Sequence, residues 1–163
     1  MRYHNITKDD MLNGEGLRTV LWVAGCSHHC PQCHNPVTWD INGGLVFDEQ
    51  AKEELFEELK KDYVSGVTFS GGDPFHLENR EEIGALAKEI REKFPDKTIW
   101  LYTGYEWEEI CHLSFLSNID VIVDGKFKIE EKDNNLHWKG SANQRVIDVR
   151  ASLRENRVVL YVE

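Results

Sequence analysis

Three of the four cysteines lie within eight residues, in the run Cys26-Ser-His-His-Cys30-Pro-Gln-Cys33. Thiols inside cells are kept reduced, so cysteines grouped this closely indicate metal or redox chemistry rather than disulfides. A [4Fe-4S] cluster is held by cysteine thiolates, usually four of them. With only three, one iron keeps an open coordination position, and an open position allows a metal site to bind substrate. The spacing therefore favours a cluster that can bind a small molecule.

A structural zinc site is the alternative interpretation of the same residues. Zinc prefers four ligands, and Cys111 lies far along the chain from Cys33, but His28, His29 and His34 are close enough in sequence to complete a tetrahedron. His28 and His29 could also tune a cluster through hydrogen bonds to sulfur, or be loop residues without a chemical role. We expect Cys111 to be a packing residue, because free cysteine is among the most buried residue types.

A second candidate group is the run Ser70-Gly71-Gly72-Asp73-Pro74, which follows an apolar stretch. Two adjacent glycines allow the backbone to approach a ligand closely, since no Cβ stands in the way. Pro74 stiffens the exit of the turn. An ordinary turn between a strand and a helix is the alternative, but backbone carbonyls exposed there could receive an ammonium group.

Short apolar runs alternate with segments of helical periodicity along most of the chain. The runs predict strands at 18–24, 67–69, 98–102 and 121–123, with a short extended piece at 45–47. The periodic segments predict helices at about 49–62, 80–94 and 106–112, and Asn79 followed by Glu82 resembles a capping box.

This alternation predicts a parallel sheet, whose carboxyl ends would carry both candidate groups. About four parallel strands are too few to close an eight-stranded barrel. The expected fold class is therefore α/β, an open, incomplete (βα) barrel with a mostly parallel sheet.

Length and composition predict a single domain over residues 1–163, with a core at about 18–125. The remaining segment, 126–163, is predicted to be irregular, with β-like runs at 146–149 and 158–162 that could form a terminal hairpin. The net charge of −10 argues against binding to nucleic acid, which requires a positive surface. No apolar stretch approaches the ~20 residues of a membrane span and no secretory signal is present, so we expect a cytoplasmic protein without a membrane partner.

The cysteine run and the Gly-Gly-Asp-Pro run together resemble the signature of radical S-adenosylmethionine (SAM) enzymes. More narrowly, the chain is similar to the family of activases that act on anaerobic ribonucleoside-triphosphate reductase. The matching stretches span nearly the whole chain and lie at 13–18, 25–36, 38–39, 66–74, 103–105, 120–125 and 140–145.

The resemblance implies a radical SAM oxidoreductase in which Cys26, Cys30 and Cys33 hold three irons of a [4Fe-4S] cluster, while the methionine part of SAM chelates the fourth. Reductive cleavage of SAM would yield a radical that removes a hydrogen from a glycine of the reductase, leaving a glycyl radical. Reduced flavodoxin or ferredoxin is the implied electron donor, and no catalytic acid or base is required. The alternatives are activation of another glycyl-radical enzyme, or a zinc-stabilised binding module without catalysis.

The resemblance also implies which residues contact SAM. Gly71, Gly72 and Asp73 would hold the methionine ammonium, through backbone carbonyls and the Asp73 carboxylate. Many radical SAM enzymes have an aromatic residue before the third cysteine that contacts adenine, whereas this chain has Gln32 there. The backbone of Gln32 and the ring of His34 are therefore the candidate adenine contacts.

Overall fold

The computed structural model describes residues 1–33 and 36–162, and a seven-stranded sheet is its central element. The strands and α-helices follow one another in the order β1 (Arg2–Asp10), β2 (Arg18–Val23), β3 (Leu45–Val46), α1 (Glu49–Leu59), β4 (Gly66–Gly71), α2 (Arg80–Lys93), β5 (Thr98–Tyr102), α3 (Trp107–Ile110), β6 (Val121–Asp124), β7 (Arg145–Asp148) and α4 (Val149–Glu155). Short 3₁₀ turns lie at Pro36–Thr38, Ser114–Asn118 and Ile129–Glu131.

The sheet is parallel at its centre and antiparallel at both edges, in the strand order β3-β1-β2-β4-β5-β6-β7. The four central strands pair in parallel, with Val20 opposite Thr68 and Thr68 opposite Trp100. β1 runs antiparallel to β2 and β3, and β7 runs antiparallel to β6. Since β3 and β7 form two separate edges, the sheet is open. The predicted α/β class with an open, mostly parallel sheet is confirmed, while the description as an incomplete barrel stays a prediction.

The two faces of the sheet carry different side chains, because successive residues of a strand point to opposite faces. One face packs against the helices in the main core, which includes Leu21 and Phe69. The opposite face carries a smaller aromatic group in which Trp100 packs against Trp138 and Tyr161. The C-terminal segment therefore covers part of the face that the helices leave free.

Arg18 is a fully buried cation near the amino ends of the central strands. Its guanidinium donates five hydrogen bonds, to the side chain of Thr68, to the backbone of Val67 and Glu15, and to the side chain and backbone of Thr98. Burial lowers the pKa of this group to about 10, so it remains charged at neutral pH. Arg18 thus joins β2, β4, β5 and the loop before β2.

The capping box predicted at Asn79 and Glu82 is wrong. The side chain of Asn79 forms no cap hydrogen bond, and its Nδ2 instead donates to the carbonyl oxygen of Ala24 at 2.8 Å. Asn79 thereby links the start of α2 to the end of β2. A capping box is present before α3, between Glu106 and Glu109.

The predicted terminal hairpin is wrong in its connection only: the two runs meet in antiparallel orientation, with the N–H of Tyr161 donating to the Val146 carbonyl at 2.9 Å, but a helix lies between them. Asp148 ends β7, and its side chain accepts a hydrogen bond from the backbone N–H of Ala151 at 3.0 Å, which caps α4. The following residues return to the sheet edge through an isolated bridge between Ile147 and Leu160.

The predicted helices are confirmed, with observed bounds that fall inside the predicted ranges. The sequence does not predict β1, because that strand is mostly polar and only Ile6 is buried within it. No helix in the described ranges combines the length and apolar character needed to cross a membrane.

Replacing Arg18 should destabilise the fold strongly. Arg18→Met leaves five acceptors without their donor, and we expect the free energy of unfolding to fall by about 3 kcal/mol or more. Arg18→Lys should be intermediate, because an ammonium cannot reproduce the planar geometry of a guanidinium. Arg154→Met is the control, since its side chain is 71% exposed. Urea unfolding of the cluster-free proteins measures the difference, and equal stability of Arg18→Met and wild type would refute the role of Arg18.

Candidate functional site

A cleft of about 500 Å³ lies at the carboxyl ends of the central strands and brings the predicted groups together. The cysteines come from the loop after β2, Gly71 is the last residue of β4, and Gly72 and Asp73 come from the loop after β4. The cleft is lined by the predicted residues Cys26, Cys30, Cys33, Gly71, Gly72 and Asp73, among others. Parallel strands place their carboxyl ends at one edge of the sheet, which explains this convergence.

The loop that carries the cysteines is held by backbone hydrogen bonds to the segment that follows it. The N–H of Gly25 donates to the Thr38 carbonyl at 2.7 Å, and the N–H of Cys26 donates to the Trp39 carbonyl at 3.0 Å. Cys33 closes a turn through an N–H donated to the Cys30 carbonyl at 3.1 Å. The three thiols are partly buried and none is in a disulfide, so they are suited to bind iron.

The loop after β4 packs directly on the cysteine loop. The N–H of Gly72 donates to the Val23 carbonyl at 2.9 Å, and the N–H of Asp73 donates to the Gly25 carbonyl at 2.7 Å. A Cβ at Gly72 would lie 2.5 Å from the Gly25 oxygen, and Gly71 has a φ of +106°. The two glycines are therefore required by the contact between the loops as well as by any ligand.

The Asp73 carboxylate joins three loops at the side of the cleft. Its Oδ2 lies 2.6 Å from His28 Nε2 and accepts hydrogen bonds from Thr103 Oγ1 at 3.1 Å and from the Gly104 N–H at 2.9 Å. Its Oδ1 accepts from the N–H of Phe75 at 2.9 Å. Asp73 is 1% exposed, so these partners replace the water that a carboxylate otherwise binds.

Burial changes the pKa of two thiols of the cleft, those of Cys26 and Cys30. Burial raises the pKa of Cys26 to about 11, although the backbone N–H of His28 opposes the shift. Burial also raises the pKa of Cys30, and the backbone N–H of Phe127 and the charge of Lys126 oppose that change. Metal binding must therefore displace protons, and the N–H groups near the sulfurs stabilise the thiolates once formed.

One of the two candidate adenine contacts lies within the described residues, and it does not line this cleft. Gln32 is exposed, has a left-handed backbone with φ of 55°, and is absent from the described lining residues. His34 lies outside the described residues.

Cys111 is exposed rather than buried, which corrects its predicted role in packing. Its Sγ lies 3.9 Å from the Glu108 carbonyl, as expected for a residue at the end of the one-turn helix α3. The position of Cys111 away from the cleft leaves three cysteines for the candidate site.

Two of the three histidines named for the zinc alternative have other partners in the structure. In residues 1–33 and 36–162, no three His, Cys, Asp or Glu side chains are arranged to hold a single metal ion. His28 is paired with Asp73, and the ring of His29 lies on that of Trp39 at 4.5 Å between centroids. Both histidines are thus engaged with other partners, whereas the three thiols and the Gly71-Gly72 backbone line one cleft.

The sequence does not predict the part of the cleft formed by the C-terminal segment. Its described lining there includes Gly125, Phe127, Leu136, Trp138, Lys139, Gly140 and Gln144. This wall is formed by the long connection between β6 and β7, whose sequence shows neither helical nor strand periodicity. The motif stretch at 140–145 is the available signal for this wall, because it contributes Gly140 and Gln144 to the cleft.

Comparison with known proteins agrees with this site. Residues 12–147 match the family described as a 4Fe-4S single cluster domain. An anaerobic ribonucleoside-triphosphate reductase-activating protein from Enterobacteria phage T4 is 44% identical over 146 residues, covering 90% of this chain and 93% of the relative. Proteins of the same name from Salmonella typhi and Escherichia coli (strain K12) are 40% and 39% identical over 154 residues, covering 92% of this chain and 100% of each relative. The chain therefore belongs to the family of anaerobic ribonucleoside-triphosphate reductase-activating proteins, with a 4Fe-4S single cluster domain.

Proposed function

We propose that this protein activates an anaerobic ribonucleoside-triphosphate reductase by radical SAM chemistry. The observation that carries the proposal is the convergence of three thiols and a Gly-Gly backbone in one cleft. When bound and reduced by one electron, a [4Fe-4S] cluster would supply the electron for reductive cleavage of the C–S bond of SAM, with methionine and 5′-deoxyadenosine as the products and the hydrogen atom taken from a glycine of the reductase, which would be left as a glycyl radical.

Some residues of the cleft would hold the cluster, and others would orient SAM. Cys26, Cys30 and Cys33 would hold three irons and leave one position for the amino and carboxylate groups of SAM. Gly71 and Gly72 would receive the ammonium through backbone carbonyls. The Asp73 carboxylate already has four hydrogen-bond partners, and the Asp73 carbonyl accepts from the His76 N–H, so Asp73 would support the site from beside it. Gln32 and His34 remain the proposed adenine contacts.

The wall from the C-terminal segment supports a macromolecular substrate. Gln144 holds this segment in shape, since its Oε1 accepts hydrogen bonds from the N–H groups of Gly140 and Ser141 and its Nε2 donates to the Gly125 carbonyl. Where this segment joins the sheet, Arg145 forms an ion pair with the buried Asp124 at 2.6 Å. The cleft is thus shaped by an ordered wall on an open sheet, which leaves room for a peptide loop to enter.

The proposed electron donor is the one that the family resemblance implies, and the proposed cellular location rests on the reduced state of the thiols. Reduced flavodoxin or ferredoxin would supply the electron, and the cytoplasm would keep the thiols reduced. No residue of the cleft is assigned a proton transfer, because hydrogen-atom abstraction requires none.

The proposed function is tested by SAM cleavage under anoxic conditions. The reconstituted protein, reduced with dithionite, should form 5′-deoxyadenosine from SAM, and adding the reductase should produce a glycyl radical signal in the EPR spectrum of the reductase. The control omits SAM. Absence of 5′-deoxyadenosine from protein that carries a complete cluster would contradict the proposal.

Single cysteine variants should separate the cluster ligands from the remaining thiol. Cys26→Ala, Cys30→Ala and Cys33→Ala should each lose most of the iron bound after reconstitution, since two thiolates hold a cluster poorly. Cys111→Ala is the matched control and should keep wild-type iron content, because Cys111 is exposed and outside the cleft. Iron analysis and absorption spectra measure the difference. Iron loss in Cys111→Ala alone would overturn the ligand assignment.

Gly72→Ala should impair SAM binding more than cluster assembly. The added Cβ would lie 2.5 Å from the Gly25 carbonyl oxygen and must push the two loops apart. We expect at least a tenfold loss of SAM affinity, equivalent to about 1.4 kcal/mol. Gly43→Ala is the control, with a nearest contact of 3.2 Å and a position outside the cleft. Equilibrium titration with SAM compares them, and equal affinities would show that the close approach of Gly72 is dispensable.

A further inference from the structure

His28 occupies a closely fitted position beside the cleft. Its Nε2 lies 2.6 Å from Asp73 Oδ2, and the two side chains are 7% and 1% exposed. The ring packs edge-on against Tyr105, with centroids 4.7 Å apart. A Cβ at Gly104 would lie 2.4 Å from His28 Cδ2, so the imidazole packs directly on the backbone there.

The contacts of His28 reach two other loops, whereas those of its neighbour do not. Asp73 belongs to the loop after β4, and Gly104 and Tyr105 belong to the loop after β5. His29 is exposed and its ring lies on Trp39, in the segment that follows the cysteine loop itself. The two adjacent histidines therefore have different structural roles, although the sequence does not distinguish them.

We propose that His28 is a positioning residue which, through Asp73, fixes the cysteine loop relative to the Gly71-Gly72 backbone. This inference rests on the proposed function, because it concerns how a cluster on the cysteines and the ammonium site on the glycines are aligned. The Asp73 carboxylate then serves alignment rather than direct contact with SAM. Its backbone is also engaged, since its carbonyl accepts from the His76 N–H at 2.9 Å, so the proposed ammonium site is the Gly71-Gly72 backbone.

Loss of the contact between His28 and Asp73 is expected to weaken SAM binding more than iron binding. The cysteine loop keeps its own backbone hydrogen bonds to Thr38 and Trp39, which do not involve His28 or Asp73. The cluster ligands all lie in that loop, so a cluster can assemble without the pair. SAM must contact both loops at once, and an error in their relative position weakens that contact.

The test compares His28→Ala, Asp73→Asn and the double variant with His29→Ala as the matched control. Iron content after anoxic reconstitution reports the cluster, and titration with SAM, followed through the EPR spectrum of the reduced cluster, reports SAM affinity. We expect both single variants to keep a complete cluster and to lose about 10- to 100-fold in SAM affinity, the range seen when a supporting partner of a metal site is removed. The double variant should be no weaker than the worse single variant, because the two residues act as one unit.

Three outcomes would overturn the inference: SAM affinity of His28→Ala equal to that of His29→Ala, loss of iron in place of SAM affinity, or fully additive losses in the double variant. If His28→Ala does not fold, His28→Gln and His29→Gln replace the alanine pair, and equal SAM affinity of these two folded variants overturns it as well. A wild-type protein with a complete cluster that binds no SAM would instead refute the proposed function.

Discussion

The buried carboxylate of Asp73 is the interaction on which the arrangement of the site depends. A carboxylate removed from water requires hydrogen-bond donors, and here they come from the cysteine loop, from its own loop and from the loop after β5. Satisfying one buried charge therefore brings together three loops that are distant in sequence. The close packing of Gly72 on the Gly25 carbonyl oxygen reinforces the same contact with backbone atoms.

A second buried charge organises the opposite end of the sheet. Arg18 binds the backbone or side chains of Val67, Thr68 and Thr98 near the amino ends of the strands, and it also holds the preceding loop through Glu15. Thr68 in turn donates to the carbonyl of Asn13, a residue that lines the cleft. The rigid sheet between these two charged groups gives the cleft a fixed base, while the chemistry is carried by loops.

The open edge of the sheet distinguishes this fold from one that encloses a small molecule. The C-terminal segment adds a wall to the cleft and supplies an N–H near the sulfur of Cys30, through Phe127. Segments outside the cysteine loop thus influence its thiols, since Asp73 acts on Cys26 and Phe127 acts on Cys30. An iron site with an accessible neighbouring wall is suited to a substrate that is itself a protein.

The sequence by itself determined the alternation of strands and helices and the grouping of the cysteine and glycine motifs at one sheet edge. These features depend on local periodicity and on the general geometry of parallel strands, which neighbouring residues encode. The tertiary structure alone decided that Asn79 supports β2 instead of capping its helix, that Asp148 starts a helix where a hairpin was expected, and that Cys111 is exposed. It also decided that His28, and not His29, meets Asp73, because a contact across 45 residues depends on how loops pack and leaves no periodic trace in the chain.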